Sequence, residues 1–138
     1  MISIIRRTAL IWCCVMLAGN ISLSMAGDNP IRIGATVSME GKYTEPSLMI
    51  QNAFRLWVHE INQSGGLLNR KVELILYNDK SQEALAKASY QRLIESDKVD
   101  LVFSPYSTPL TLSALKITEP HKYVMLQIRF FHTRRPGC

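Results

Sequence analysis

A chain of 138 residues with 47% hydrophobic and 20% charged content has room for one small globular domain and little else. Its net charge of +5 invites a nucleic-acid reading, but the excess sits at the ends, on Arg6 and Arg7 and on Arg129, Arg134 and Arg135. Between Gly27 and Leu126 there remain 11 basic residues against 11 acidic ones, and no basic stripe with interleaved aromatics that could follow a phosphate backbone.

The first 26 residues read as a secretory signal peptide. Arg6 and Arg7 supply the positive start, Thr8 to Leu17 an apolar run too short to cross a bilayer comfortably, and Ser24-Met25-Ala26 a small-x-small cleavage site before Gly27. The competing reading is a retained membrane anchor, which Asn20 and the polar residues after it oppose. Lipid attachment at Cys13 or Cys14 is disfavoured by the bulky Ile11-Trp12 before them. Export to the periplasm or exterior follows, with membrane contact only through the export signal. Cys13, Cys14 and Cys138 lack metal-ligand spacing, and His59, His121 and His132 are scattered, so neither a disulfide framework nor a metal site is expected.

Ile31–Val37 is the first expected strand, followed by the polar loop Ser38 to Tyr43. Gly41-Lys42 resembles part of a phosphate loop, but Gly34 is at the wrong spacing and Tyr43 stands where Ser or Thr is required. No cofactor loop of the G-x-G-x-x-G kind is present either. Glu45 to Asn62 reads as a long helix with Ile50, Ala53, Phe54, Trp57, Val58 and Ile61 on its buried face. Gln51, Arg55, His59 and Glu60 fall largely outside. Ser64-Gly65-Gly66 ends that helix. Lys71 to Tyr77 is the second strand. Asp79 with Gln82 gives a capping-box pattern for a helix from about Ser81 to Ser96, with Ser81 as the competing cap. Asp79 at a strand end could also be a phospho-acceptor or ribose ligand, though capping accounts for it more simply. Glu83 and Lys87 are spaced to pair along the outer face of that helix.

Val99 to Leu115 is the most informative stretch. Val99, Leu101, Val102 and Phe103 suit a buried strand, Ser104-Pro105 breaks it, and Thr108 is placed as N-cap with Pro109 as the first helical residue. Ser107 and Thr108 put two hydroxyls beside the free amides of a helix start. That chemistry caps a helix and also suits an anion such as a carboxylate; the stretch alone leaves both readings open. The helix runs to about Thr118, and Tyr123 to Leu126 begins a fourth strand. The order β-α-β-α-β-α-β, with connections long enough for crossovers, makes the fold α/β with a doubly wound parallel sheet. Ligands bind such sheets beyond the strands' carboxyl ends, near the point where strand order reverses.

Three segments together, IRIGATVSMEGKYT, INQSGGLLNRKVELILYND and DKVDLVFSPYST, resemble the opening of the type I periplasmic binding proteins. The leucine/isoleucine/valine-binding branch is the nearest, with receptor ligand-binding domains beside it. The resemblance covers Ile31 to Leu126. It implies half of a two-lobed fold that closes on a ligand, with Ser107, and with it Thr108, holding the ligand's carboxylate. Tyr106 and the loop around Gly41 and Tyr43 would line the cleft. It further implies a small-molecule ligand, an amino acid or similar, and in the full-length family an ABC permease as partner. Val37-Ser38 stand where the family tends to have Gly-Pro, and Ser104 where it tends to have Gly.

After Leu126 the chain departs from the family pattern and turns basic and aromatic. The expected division is therefore a signal peptide (1–26), a partial N-terminal ligand-binding lobe (27–126) and an atypical basic tail (127–138). A frameshift or truncation near residue 127 is the expectation for the tail, against the alternative of a genuine short C-terminal strand. With one lobe incomplete, binding should be impaired. The expected role is the solute-binding component of an ABC importer for branched-chain-type amino acids or similar solutes; the alternative is the ligand-sensing domain of a receptor. No nucleophile elbow, paired catalytic carboxylates or metal cluster is legible, so no enzymatic activity is expected.

Overall fold

The computed structural model describes residues 29–128; the expected signal peptide and most of the basic tail lie outside them. The element order is β1 (Ile31–Val37), α1 (Thr44–Gln63), β2 (Val72–Asn78), α2 (Glu83–Glu95), β3 (Leu101–Phe103), α3 (Thr108–Thr118) and β4 (Met125–Leu126). All four strands are parallel, in the spatial order β2-β1-β3-β4. β1 is central and is buried at every position but Arg32. Its full length pairs with β2, from Ile31 opposite Val72 to Val37 opposite Asn78. No helix among the described residues is long and apolar enough to cross a membrane.

The helices divide between the two faces of the sheet. α2 and α3 cover one face, where Tyr90, Leu93, Val102 and Ala114 are fully buried and Ile75, Tyr77 and Met125 complete the layer. α1 covers the other. There Phe103 stacks on Phe54 with ring centroids 4.6 Å apart and meets Trp57 edge-on at 5.9 Å. Such aromatic pairs add about 0.5–1.5 kcal/mol beyond the area they bury. The expected buried face of α1 needs two corrections. Ala53 is exposed, and Gln51 is buried at 7% exposure. The helix lies toward β2, where the Asn62 side chain accepts from the Val72 amide and donates to the Val72 carbonyl. That offset turns the Ala53 flank to solvent.

α1 ends in a Schellman arrangement. The Gly66 amide donates to the Ile61 carbonyl at 2.8 Å and the Gly65 amide to that of Asn62 at 3.4 Å. A tight turn follows, in which Leu67 and Arg70 exchange backbone bonds while Leu68 (φ 53) and Asn69 (φ 61) sit in the left-handed region. Asparagine tolerates that region; a leucine that is 79% exposed has nothing to gain there. Leu68→Asn is expected to raise stability by about 1 kcal/mol, read as a higher Tm in a thermal melt. No gain would mean that the turn relaxes around the leucine without strain.

Candidate functional site

The strand order reverses between β1 and β3, so the crevice lies at their carboxyl ends. Two loops flank it, Ser38 to Tyr43 after β1 and Ser104 to Ser107 after β3. They meet through Tyr43 and Tyr106, whose rings are tilted at 59° with centroids 5.8 Å apart. Ser107 sits just behind this pair.

Ser107, not Thr108, is the N-cap of α3. It is extended (φ −104, ψ 152), and its hydroxyl accepts from the Leu110 amide at a long 3.5 Å. Thr108 is the first helical residue and Pro109 follows it, a shift of one position from the sequence expectation. Proline fits either place, because neither of the first two helical N–H groups has an intrahelical acceptor. Ser107 is 8% exposed and Thr108 is exposed. Among the described residues the Thr108 amide has no acceptor, and Pro109 has no N–H to donate. The end of α3 therefore presents one buried hydroxyl, one available amide and the positive end of an 11-residue helix. Beside it, an open groove of about 490 Å³ runs between Ser107, Thr111, Leu112 and the Gln127–Ile128 segment. Ser104 holds that segment in place: its hydroxyl accepts from the Ile128 amide at 2.9 Å.

Tyr43 links the two loops chemically as well as sterically. The Lys42 ammonium, first, and then the Ser107 hydroxyl hold its phenol below the ordinary tyrosine range, partly opposed by burial. Lys42 Nζ lies 4.7 Å from the ring centroid. Gly41 shapes the loop that carries Tyr43. Its φ is +91°, and a Cβ there would come within 2.7 Å of Ser81 Oγ and 2.9 Å of the Lys80 carbonyl. The glycine lets the β1 loop lie flat on the turn after β2. There the Ser81 hydroxyl accepts from the Tyr43 amide and donates to the Glu40 carbonyl.

Asp79 is not a helix cap. Gln82 occupies the N-cap position of α2 without a side-chain bond, and Asp79 is fully buried. Its carboxylate accepts from Thr36 Oγ1 (2.7 Å), Ser38 Oγ (2.5 Å) and the Ser81 amide (2.9 Å). Thr36 also contacts the buried phenol of Tyr90, which donates to the Phe103 carbonyl. A continuous polar network thus runs beneath the crevice from β2 through β1 to the end of β3. It leaves Asp79 no open face for phosphate or ribose. A signal for it was available: Thr36 and Ser38 are two residues apart, hence on one side of β1, with Asp79 beside them at the end of β2. Glu83 likewise does not pair with Lys87; it accepts from the Ser113 hydroxyl on α3 at 3.0 Å. Among the described residues no group of three His, Cys, Asp or Glu side chains could hold a metal ion.

The crevice at the carboxyl ends of β1 and β3, lined by hydroxyls and flanked by aromatic rings, lies at the position where doubly wound sheets take ligands. The model of the periplasmic binding protein family matches residues 30–136, and the chain belongs to that family. Solved structures share the fold. One is the isoleucine complex of LivJ, the substrate-binding protein of a branched-chain amino acid transporter from Streptococcus pneumoniae (24% identity, TM-score 0.69). A second is the leucine-binding protein LivK from Thermotoga maritima (23%, TM-score 0.64). A third is a solute-binding protein of an ABC transporter from R. palustris in complex with benzoate (20%, TM-score 0.64). The similarity covers 72%, 70% and 72% of this chain, but only 28%, 27% and 27% of those structures. The chain thus spans less than a third of the length of the solved structures it matches.

Proposed function

We propose that this chain contributes a ligand-binding lobe of an exported solute-binding protein serving an ABC importer. Its solute is a small carboxylate-bearing molecule, an amino acid of the branched-chain type or a related acid. The reading rests on one observation: the buried Ser107 hydroxyl and the available Thr108 amide stand together at the N-terminus of α3, inside the crevice at the sheet's switch point. A carboxylate placed there would accept from both and would meet the positive end of the helix dipole. Tyr43 and Tyr106 would flank its hydrocarbon part, while Gly41 sets the loop that carries Tyr43. The isoleucine-bound, leucine-binding and benzoate-bound neighbours support a carboxylate ligand. Residues 1–26 would direct export to the periplasm, and binding rather than catalysis would be the activity.

The test is a titration of the ¹⁵N-labelled full chain with leucine and with benzoate, following the Ser107 and Thr108 amide resonances. Because the chain spans a fraction of its structural neighbours' length, concentrations should reach the millimolar range. Ser107→Ala is expected to weaken binding about tenfold or more, the scale of a hydrogen bond to a charged group. Unmoved resonances with both ligands, or unchanged affinity in Ser107→Ala, would overturn the proposal.

A further inference from the structure

The crevice carries a cation that the carboxylate site does not itself need. Lys42 lies at the rim, with its ammonium 4.7 Å from the centre of the Tyr43 ring. Lys42 and Ser107 both act on the Tyr43 phenol, and the Tyr43 ring meets that of Tyr106, the residue before Ser107, with centroids 5.8 Å apart, so Tyr43 stands between the ammonium and the start of α3. Three ion pairs occur among the described residues, Arg32–Glu73, Lys80–Glu40 and His121–Glu95, and Lys42 is in none of them. Of the neighbouring carboxylates, Glu40 and Glu83 are committed elsewhere, while Glu45 lies in the first turn of α1. Glu40 is held by Lys80 and by the Asn78 side chain. Glu83 accepts from Ser113 and exerts the weakest of the influences on Tyr43.

A ligand with its carboxylate at Ser107 would thus place the substituents on its α-carbon beside an unneutralised ammonium. An α-ammonium there meets a like charge; a hydrogen does not. We propose that Lys42 is a specificity-determining residue that makes this crevice prefer net-anionic carboxylates, those with no ammonium beside the carboxylate, over zwitterionic α-amino acids. The inference rests on the carboxylate reading of Ser107 and narrows its substrate class.

Leucine and 4-methylpentanoate form the discriminating pair, since they differ only in the α-ammonium. The ¹⁵N-labelled full chain is titrated with each, reading the Ser107 and Thr108 amides. The expected result is about three- to fivefold tighter binding of 4-methylpentanoate, the scale of a solvent-exposed charge pair. Lys42→Met should bring that ratio to about one, and Lys42→Arg should retain it. Leucine binding as tightly as 4-methylpentanoate, or a ratio untouched in Lys42→Met, overturns the inference while leaving the carboxylate site standing. Neither ligand moving these amides overturns the site and the inference together. Lys42 is exposed, and the dispersion of each variant's spectrum shows whether it folds.

Discussion

Gly66→Ala is expected to cost about 3 kcal/mol or more and to lower Tm by roughly 12 °C or more. The residue has φ +83°, and a Cβ built there would lie 2.0 Å from the Arg70 carbonyl oxygen and 2.6 Å from its carbon. Both obstructing atoms are backbone. They cannot withdraw without breaking the paired bonds between Leu67 and Arg70 (2.7 and 2.9 Å), which set the entry into β2. The Arg70 guanidinium is also anchored, donating to the Asn29 and Pro30 carbonyls just ahead of β1. Gly65 provides the control. It too has positive φ (+100°), but nothing lies within 4 Å of its Cβ position. Gly65→Ala should cost only the left-handed penalty, about 1 kcal/mol. Thermal melts of the two variants separate the effects; equal losses would sink the steric account.

The second large effect is expected at Asp79. Asp79→Ala removes the acceptor from two buried hydroxyls and one backbone amide at once and leaves a hole beneath the crevice. Leaving several buried donors unsatisfied places the loss at about 3 kcal/mol or more. Urea titration should show a lower midpoint with an unchanged slope. Because Ser38 begins the loop that carries Tyr43, its resonances and those of Gly41 should shift too. A loss under about 1 kcal/mol with that loop undisturbed would show that water or local repacking replaces the carboxylate. Asp79→Asn should fall between, since an amide keeps the volume but offers one acceptor oxygen in place of two.

The difference between what could be read from the sequence and what could not follows the reach of each interaction. β1, the long α1 and the parallel order were legible because apolar spacing and turn residues are local signals. The crevice was legible for the same reason: the break at Ser104-Pro105 and the hydroxyls after it lie within a few residues. The identity of the cap was not, since Ser107 and Thr108 are adjacent and Pro109 suits a helix started by either. Asp79 was misjudged because Gln82 three residues on is a local pattern, whereas the deciding hydroxyls on Thr36 and Ser38 are 43 and 41 residues away. Ala53 and Gln51 exchanged places because a helix's apolar stripe does not say toward which strand it leans. Lys42 was weighed only as part of a phosphate loop it does not form, and its relation to Ser107 exists only once β1 and β3 are neighbours.

The central position of β1 has a consequence for how the chain is made. Its partners come late: Arg32 meets Glu73 on β2 41 residues downstream and Asp100, just before β3, 68 residues downstream. At ribosomal rates of about 5–20 residues per second, the most buried strand of the sheet emerges roughly 2 to 8 s before the first strand that can pair with it. During that interval Ile31, Ile33, Ala35 and Val37 have no sheet to join, and the loops that must close are long, which slows pairing further. The segment that ends as the best protected part of the molecule is therefore, during synthesis, its longest-exposed apolar strand.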